Sequence, residues 1–295
     1  MAGEGCTPFR GQCRIRSKAR FLRRLRRPPA LTTGERGSVY NDEGDKSTMT
    51  KKLCKRWTVN CLWLAAVLVA VLGWPGVAVA ASTINGTVTF AGKAPNLKPL
   101  AMDADPACAK KHPKPVLAEM LVLGSGNTMG NIIIWVSKGL PAGKTYPAPK
   151  TPVTLDQKGC LYVPHAMGIM VGQPYRILNS DGILHNSHTL PKINPSFNRA
   201  MPATLKETST SFAKPEPIFQ IKCDVHPWMS AYIGVFTHPF FSVTSTDGKF
   251  TIAGLDPGTY EITAWHERLG TQTASVTVAA NETKAQNFKF TLPAK

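Results

Sequence analysis

The sequence predicts an all-β protein from three observations. Short runs rich in β-branched and aromatic residues recur after residue 80, and Gly, Pro, Asn or Asp bounds each of them. Few stretches carry the apolar period of a helix. The pair Asp247-Gly248 predicts a hairpin, and Pro257-Gly258 predicts a second tight turn. Many short strands with frequent turns are typical of a β-sandwich or Greek-key barrel. The clearest runs are residues 83–90, 131–136, 175–178, 218–222 and 231–236.

Residues 1–48 form a basic extension with an Arg-rich stretch at 23–27. A nucleic-acid patch and a twin-arginine export signal are two possible interpretations. Both are weakened because the arginines lie far upstream of the first apolar run, with acidic residues at 42–45 between them. Clustered charge without apolar periodicity does not support a core. We therefore predict a disordered extension, or one that is not translated because the protein starts at Met49.

Residues 49–80 have the composition of a secretory signal peptide. Basic residues follow Met49, an apolar run covers 61–74, and small residues occupy 77–80. We expect cleavage after Ala80 and a periplasmic or otherwise exported protein, which meets the membrane only through this transient segment. The apolar run is short for a bilayer span, so an uncleaved anchor is the weaker alternative.

The charge distribution argues against a nucleic-acid partner. The chain of 295 residues carries a formal net charge of +17. Residues 1–80 hold 15 Lys and Arg against 5 Asp and Glu, and residues 81–295 hold 20 against 13. The basic character is thus mostly a property of the leader. The smaller positive balance of the remainder favours association with an acidic partner.

Three of the seven cysteines follow residue 80, namely Cys108, Cys160 and Cys223. Because thiols tend to pair in an oxidising compartment, an odd number indicates one pair and one special thiol. We predict a disulfide between Cys108 and Cys160. The alternative is a second metal site that uses Cys160 with His165.

Three potential metal ligands lie close together after an apolar run. Cys223, His226 and Met229 are spaced by two residues each, and His185 lies upstream, directly after another predicted strand. One thiolate, two imidazoles and a weak thioether form the ligand set of mononuclear electron-transfer copper. Structural zinc is the alternative, but it prefers Cys and His without a thioether.

These two segments resemble the ligand segments of cupredoxins of the plastocyanin and amicyanin kind. The resemblance implies a Greek-key cupredoxin β-sandwich over 81–238 that holds one type 1 copper ion through His185, Cys223, His226 and Met229. It also implies that Trp228 shields the metal and that Asn186 ties the ligand loops together.

The C-terminal residues resemble a second family. The motifs Asp247-Gly248-x-Phe250 and Gly254-Leu255-x-Pro257-Gly258-x-Tyr260 are similar to those of carboxypeptidase regulatory-like domains. The resemblance implies a smaller transthyretin-like β-sandwich over 239–295 that follows the copper domain. Residues 86–92 resemble the first strand of the same domain type, so an alternative is that the copper domain is an insertion within it.

The predicted function is one-electron transfer, with a redox protein such as a c-type cytochrome or an exported dehydrogenase as partner. Only one cysteine lies in the ligand loop and no His-x-His pair occurs, which argues against binuclear copper centres and multicopper oxidases. The sequence carries no arrangement of catalytic groups, so we expect no enzyme. Alternatives are copper storage or delivery, and a structural β-domain protein. The segment 265–268 is expected to face the copper domain or a partner, or to form a salt-bridged turn.

Overall fold

The computed structural model describes residues 81–293, and nearly all of its regular structure is β. One short helix, α1, spans Pro106–Ala109, and 3₁₀ turns span Met102–Ala104 and Ser125–Asn127. The strands are β1 (Ser82–Ala91), β2 (Ile133–Lys138), β3 (Val153–Lys158), β4 (Leu161–Val163), β5 (Ala166–Met170), β6 (Tyr175–Asn179), β7 (His185–Thr189), β8 (Asn198–Met201), β9 (Glu207–Thr210), β10 (Glu216–Lys222), β11 (Ser230–Phe236), β12 (Phe241–Val243), β13 (Lys249–Leu255), β14 (Gly258–His266), β15 (Gly270–Val278), β16 (Thr283–Ala285) and β17 (Phe288–Thr291).

The predicted extension over 1–48 and the predicted signal segment over 49–80 lie outside the described residues. Within residues 81–293, no helix has the length and apolar character needed to cross a bilayer.

Strands β3 to β11 form one sandwich, here called the inserted sandwich. One sheet has the order β4-β3-β6-β9 and the other has the order β5-β11-β10-β7-β8. Alternating apolar side chains of both sheets fill the space between them, as expected for strands with one buried face. Leu155, Ile177, Ile221 and Ile233 are among the fully buried members of this core. The predicted all-β class with a sandwich architecture is confirmed.

The remaining strands form a second sandwich, here called the terminal sandwich. Strand β1 lies between β13 and β16 and also pairs with β17, while the facing sheet has the order β12-β2-β14-β15. Ile84, Val88 and Phe90 of β1 alternate inward and pack in one core with Phe250 and Phe288. Strand β1 is therefore an integral part of this core.

This pairing corrects the predicted consecutive division into 81–238 and 239–295. Strands β1 and β2 precede residue 139, but they pair with strands that follow residue 240. The chain leaves the terminal sandwich after β2, builds the inserted sandwich, and returns at β12. The alternative of an insertion within the C-terminal domain describes this arrangement.

The turn at Asp247-Gly248 also differs from its prediction. Gly248 has a φ of 68°, as a tight turn requires. However, the turn joins β12, which pairs with β2, to β13, which pairs with β1 in the facing sheet. The hairpin prediction is wrong because a local turn signal does not specify which strands then pair.

A small apolar cluster joins the two sandwiches. Phe236 of β11 packs on Trp135 of β2 and on Phe241 of β12, with ring centroids 5.6 and 4.9 Å apart. Gly168 of β5 allows this contact, because a Cβ at that position would come within 2.5 Å of the Phe241 ring. The two sandwiches therefore share a packed interface.

Candidate metal centre

The candidate ligand His185 begins strand β7 in the inserted sandwich. The loop before it is anchored by Asn179, whose side-chain amide donates hydrogen bonds of 2.8 Å to the carbonyls of Ile183 and Met201. His185 itself is fully buried. The position of the His185 ring is thus fixed by the end of β6, at Asn179, and by the start of β7.

The segment from Cys223 to Met229 is a closed loop between β10 and β11. The amide of Met229 donates to the carbonyl of His226 at 2.9 Å, and the amide of Cys223 donates to the carbonyl of Met229 at 3.2 Å. Pro227 restricts the backbone between the two bonded residues. Cys223, His226 and Met229 are all buried. The loop is therefore held by its own backbone before any metal binds.

Three of the four predicted ligands converge. The Nδ1 atoms of His185 and His226 lie 2.9 Å apart, and Cys223 Sγ lies 3.8 Å from His226 Nδ1. Ligand atoms of all three residues lie within 4.8 Å of one another. Met229 is in the same closed loop and in the same buried core as Cys223.

The outward nitrogens of both imidazoles face carboxylates. His185 Nε2 lies 3.0 Å from an oxygen of Asp181, and His226 Nε2 lies 3.0 Å from an oxygen of Asp105. A carboxylate accepts a hydrogen bond, so each ring carries its hydrogen on Nε2 when neutral. Both Nδ1 atoms then present lone pairs to each other, and a cation between them resolves the repulsion. Such carboxylate–histidine pairs also orient metal ligands.

Asp181 is itself tightly held. Its two oxygens accept hydrogen bonds of 2.7 Å from the amides of Gly159 and Cys160, and Lys111 lies 3.1 Å away. Burial raises the pKa of Asp181, but the hydrogen bonds from His185, these amides and Lys111 outweigh it and hold the pKa well below its usual range. Asp181 is therefore an anion that fixes the His185 ring.

Asp105 lies in the loop-rich segment between β1 and β2, here called the excursion. Its other oxygen accepts from the amide of Ala107 at 2.8 Å and so caps α1. The excursion is joined to the inserted sandwich by a disulfide between Cys108 and Cys160, the predicted pair. The predicted alternative, a metal site of Cys160 with His165, is not formed because Cys160 is in the disulfide. The sequence analysis missed both Asp105 and Asp181.

Asn186 connects the two ligand segments, as the sequence analysis expected. Its side-chain oxygen accepts from the amide of Asp224 at 2.7 Å and lies 3.2 Å from Cys223 Sγ. Its amide nitrogen donates to Asn198 at 2.6 Å and to the Asp224 carboxylate at 3.1 Å. This residue therefore sets the distance between the strand of His185 and the thiol of Cys223.

Cys223 is the one free cysteine within the described part of the chain. Burial raises its pKa, but hydrogen bonding with the His185 ring and with the backbone of Asn186 and His226 outweighs burial and lowers the pKa to about 7. A thiolate is the form that binds metals. Trp228 covers this region, since its ring lies 5.1 Å from that of His226 and its Nε1 donates to the carbonyl of Cys160 at 3.0 Å.

The other histidines have different partners. His112 contacts the carbonyl of Gly159 at 2.6 Å, His188 lies 2.9 Å from Asp224, and His238 is buried. The segment 265–268 faces the inserted sandwich, because Glu267 lies 2.7 Å from His165 Nε2.

The sequence of the terminal sandwich is similar to that of a known domain family. Residues 234–292 match the carboxypeptidase regulatory-like domain family. The match includes β12 to β17, and the earlier strands β1 and β2 complete the same sandwich in the structure. No curated protein matches the chain.

Solved structures that resemble the chain include copper proteins. A Cu-containing nitrite reductase (NirK) from Thermus scotoductus SA-01 is 22% identical and covers 34% of this chain and 25% of the reductase, with a TM-score of 0.27. A Cu(I) amicyanin mutant is 15% identical over 35% of this chain and 98% of amicyanin, with a TM-score of 0.26. A purple cupredoxin from Nitrosopumilus maritimus is 19% identical over 28% of this chain and 98% of its own, with a TM-score of 0.24. Scores this low do not establish a shared fold.

Proposed function

We propose that the protein holds one type 1 copper ion through His185, Cys223, His226 and Met229 and transfers single electrons in an exported compartment. The observation that carries the proposal is the convergence of the Nδ1 atoms of His185 and His226, 2.9 Å apart, beside the buried Cys223. Two imidazoles, one thiolate and a weak thioether form the set that suits this kind of copper. When bound, copper supplies a single-electron couple between its two oxidation states.

The chain's own residues contribute rigidity and exclusion of water. Asp181 and Asp105 orient the two imidazoles, and Asn186 fixes the spacing between the ligand segments. Burial of Cys223 and Met229 keeps solvent from the ligand loop. A site whose ligands keep their positions when the charge of the ion changes needs little reorganisation, which favours fast electron exchange.

The partner in this proposal is a redox protein of the same compartment, such as a c-type cytochrome or an exported dehydrogenase. Its choice rests on the predicted signal segment and on the modest positive charge after residue 80. The proposal requires no catalytic step by the protein itself.

A metal analysis combined with optical and paramagnetic spectra tests the metal assignment. The full chain is expected to bind one copper per molecule and to show the intense thiolate-to-copper absorption, and Cys223→Ser is expected to lose that absorption. A variant that keeps the colour contradicts the ligand assignment. Stopped-flow mixing with a reduced c-type cytochrome then tests the electron transfer.

Copper storage or delivery is the second candidate function, and one observation favours it. The Asp105 carboxylate and the Trp228 ring both lie against His226, which is only 2% exposed. Such a covered ligand suits retention of the ion. Slow electron exchange together with transfer of copper to an apoprotein would favour this function over the first.

A further inference from the structure

A cavity of about 210 Å³ lies beside the ligand loop, where the two sandwiches meet. Its walls are mostly apolar and include Leu100, Met120, Leu161, Pro227 and Trp228. The polar side chains that line the same cavity are two carboxylates and one imidazole, those of Glu119, Glu267 and His165, together with the hydroxyl-bearing Ser230 and Tyr162. Apolar walls with a few convergent polar groups are the usual composition of a small-molecule site.

The polar groups are arranged around a buried histidine. The His165 side chain is 6% exposed, and its Nε2 lies 2.7 Å from Glu267, which is 10% exposed. Its Nδ1 lies 3.8 Å from an oxygen of Glu119, which is too far for a hydrogen bond. Among the described residues, Nδ1 of His165 therefore has no hydrogen-bond partner.

The missing partner has a defined chemistry. Burial raises the pKa of Glu267, but hydrogen bonds from His165 and Tyr232 outweigh it and lower the pKa, so the carboxylate accepts the Nε2 hydrogen. In the neutral ring, Nδ1 is then an acceptor, and the Glu119 oxygen opposite is an acceptor when ionised. Two facing acceptors are satisfied by a donor that carries at least two hydrogens.

We propose that this cavity binds a small organic molecule with a primary ammonium group, which lies between His165 Nδ1 and the Glu119 carboxylate. The ammonium group donates to both acceptors, and its charge is compensated by Glu119. The apolar part of the ligand lies against Met120, Leu100 and the indole of Trp228. Binding needs no copper, since every contact comes from side chains outside the metal ligands.

Other ligand classes fit the cavity less well. A single metal ion does not join the three polar residues, because Glu119 and Glu267 face different nitrogens of the His165 ring. An anion would be repelled by two carboxylates. Burial raises the pKa of Glu119, and a neutral molecule would do nothing to offset this cost of keeping the carboxylate ionised.

Calorimetric titration of the full chain with benzylamine tests the proposal, in the metal-free and the copper-loaded forms. Benzyl alcohol and benzoate serve as neutral and anionic probes of similar shape. We expect saturable binding of benzylamine alone, with equal affinity in the two metal states. Glu119→Gln is expected to weaken it about tenfold, because a charge-assisted hydrogen bond is lost.

Two further variants complete the experiment. Glu207→Gln removes the same charge from an exposed position on β9 and is expected to leave binding unchanged. Ala118→Leu adds bulk to the cavity wall and is expected to abolish binding while the circular dichroism spectrum is kept. Equal binding of benzyl alcohol or benzoate, no saturation with benzylamine, or an unaffected Glu119→Gln would each overturn the proposal. None of these outcomes bears on the copper site.

Discussion

The Asp105 carboxylate lies 3.0 Å from His226 Nε2, although 121 residues separate the two in sequence. The same carboxylate caps α1, so a residue of the loop-rich excursion is fixed at both of its oxygens. The position of a predicted metal ligand in one loop thus depends on a segment far upstream.

The first prediction concerns the charge of Asp105. Asp105→Asn keeps a good cap for α1 but weakens the hold on His226, and outer partners of this kind typically contribute 10–100-fold to metal affinity. We expect copper affinity to fall by about that factor in competition with a chelator. Asp103→Asn, an exposed neighbour, is the matched control and is expected to change nothing. Equal affinities of both variants would contradict the proposed role.

The second prediction concerns the disulfide. Cys108 and Cys160 are separated by 52 residues, and closing a loop of this length stabilises a protein by about 4 kcal/mol in the chain-entropy description. The double variant Cys108→Ser/Cys160→Ser is expected to lose about that free energy of unfolding in urea, measured without metal. Cys223→Ser leaves the disulfide intact and is expected to lose much less. A double variant as stable as the parent would show that the excursion contributes little.

The third prediction concerns the interface between the sandwiches. Gly168→Ala places a Cβ within 2.5 Å of the Phe241 ring, and relieving such a clash typically costs about 1–3 kcal/mol. Gly258→Ala is the control, because its nearest neighbour lies at an ordinary 3.5 Å. Thermal unfolding is expected to begin earlier in Gly168→Ala than in Gly258→Ala. Identical unfolding curves would mean that the interface accommodates the added Cβ without loss of stability.

The fourth prediction concerns pH. Burial lowers the pKa of His266 from 6.5 to about 4. As pH falls, His266 is protonated in the unfolded chain at a higher pH than in the folded protein. The contribution of neutral His266 to stability is therefore full above about pH 6.5 and falls as pH decreases toward 4.

In His266→Asn this part of the pH dependence is expected to disappear, measured as urea unfolding free energies at pH 7 and pH 5. The amides of Arg268 and Leu269, which bond to His266 Nδ1, keep an acceptor in the variant. His188→Asn is the control, and the parent slope is expected to persist there. If the unfolding free energy of His266→Asn changes with pH as much as that of the parent protein, the effect comes from another group, such as the buried His238.

The sequence was sufficient for those parts of the site that are local. Cys223, His226 and Met229 lie in one short segment, and their spacing alone suggests a ligand loop. Counting thiols indicated one pair and one special thiol, and the assignment of Cys223 to the ligand loop left Cys108 and Cys160 as the pair. These are patterns of residue type and spacing, which need no knowledge of the fold.

The missed features are those that only tertiary structure creates. Nothing in the sequence relates Asp105 to His226, and Asp181 could have been suspected only because it precedes His185 by four residues. Strand β1 was assigned to the wrong sandwich because alternation reports a buried face without identifying its neighbour. The Asp247-Gly248 turn failed as a hairpin for the same reason.

The inserted sandwich leaves and re-enters the terminal sandwich at adjacent strands, since Trp135 of β2 is directly opposite Phe241 of β12. The two crossing points are thus as close as the ends of an ordinary turn. Removal of everything between them would leave a gap that a few residues can span, and the strand pairing of the terminal sandwich would be preserved. The metal ligands can therefore be transplanted on one continuous stretch of chain, but Asp105 and Cys108 lie before β2, so a complete transfer of the site also needs that upstream segment.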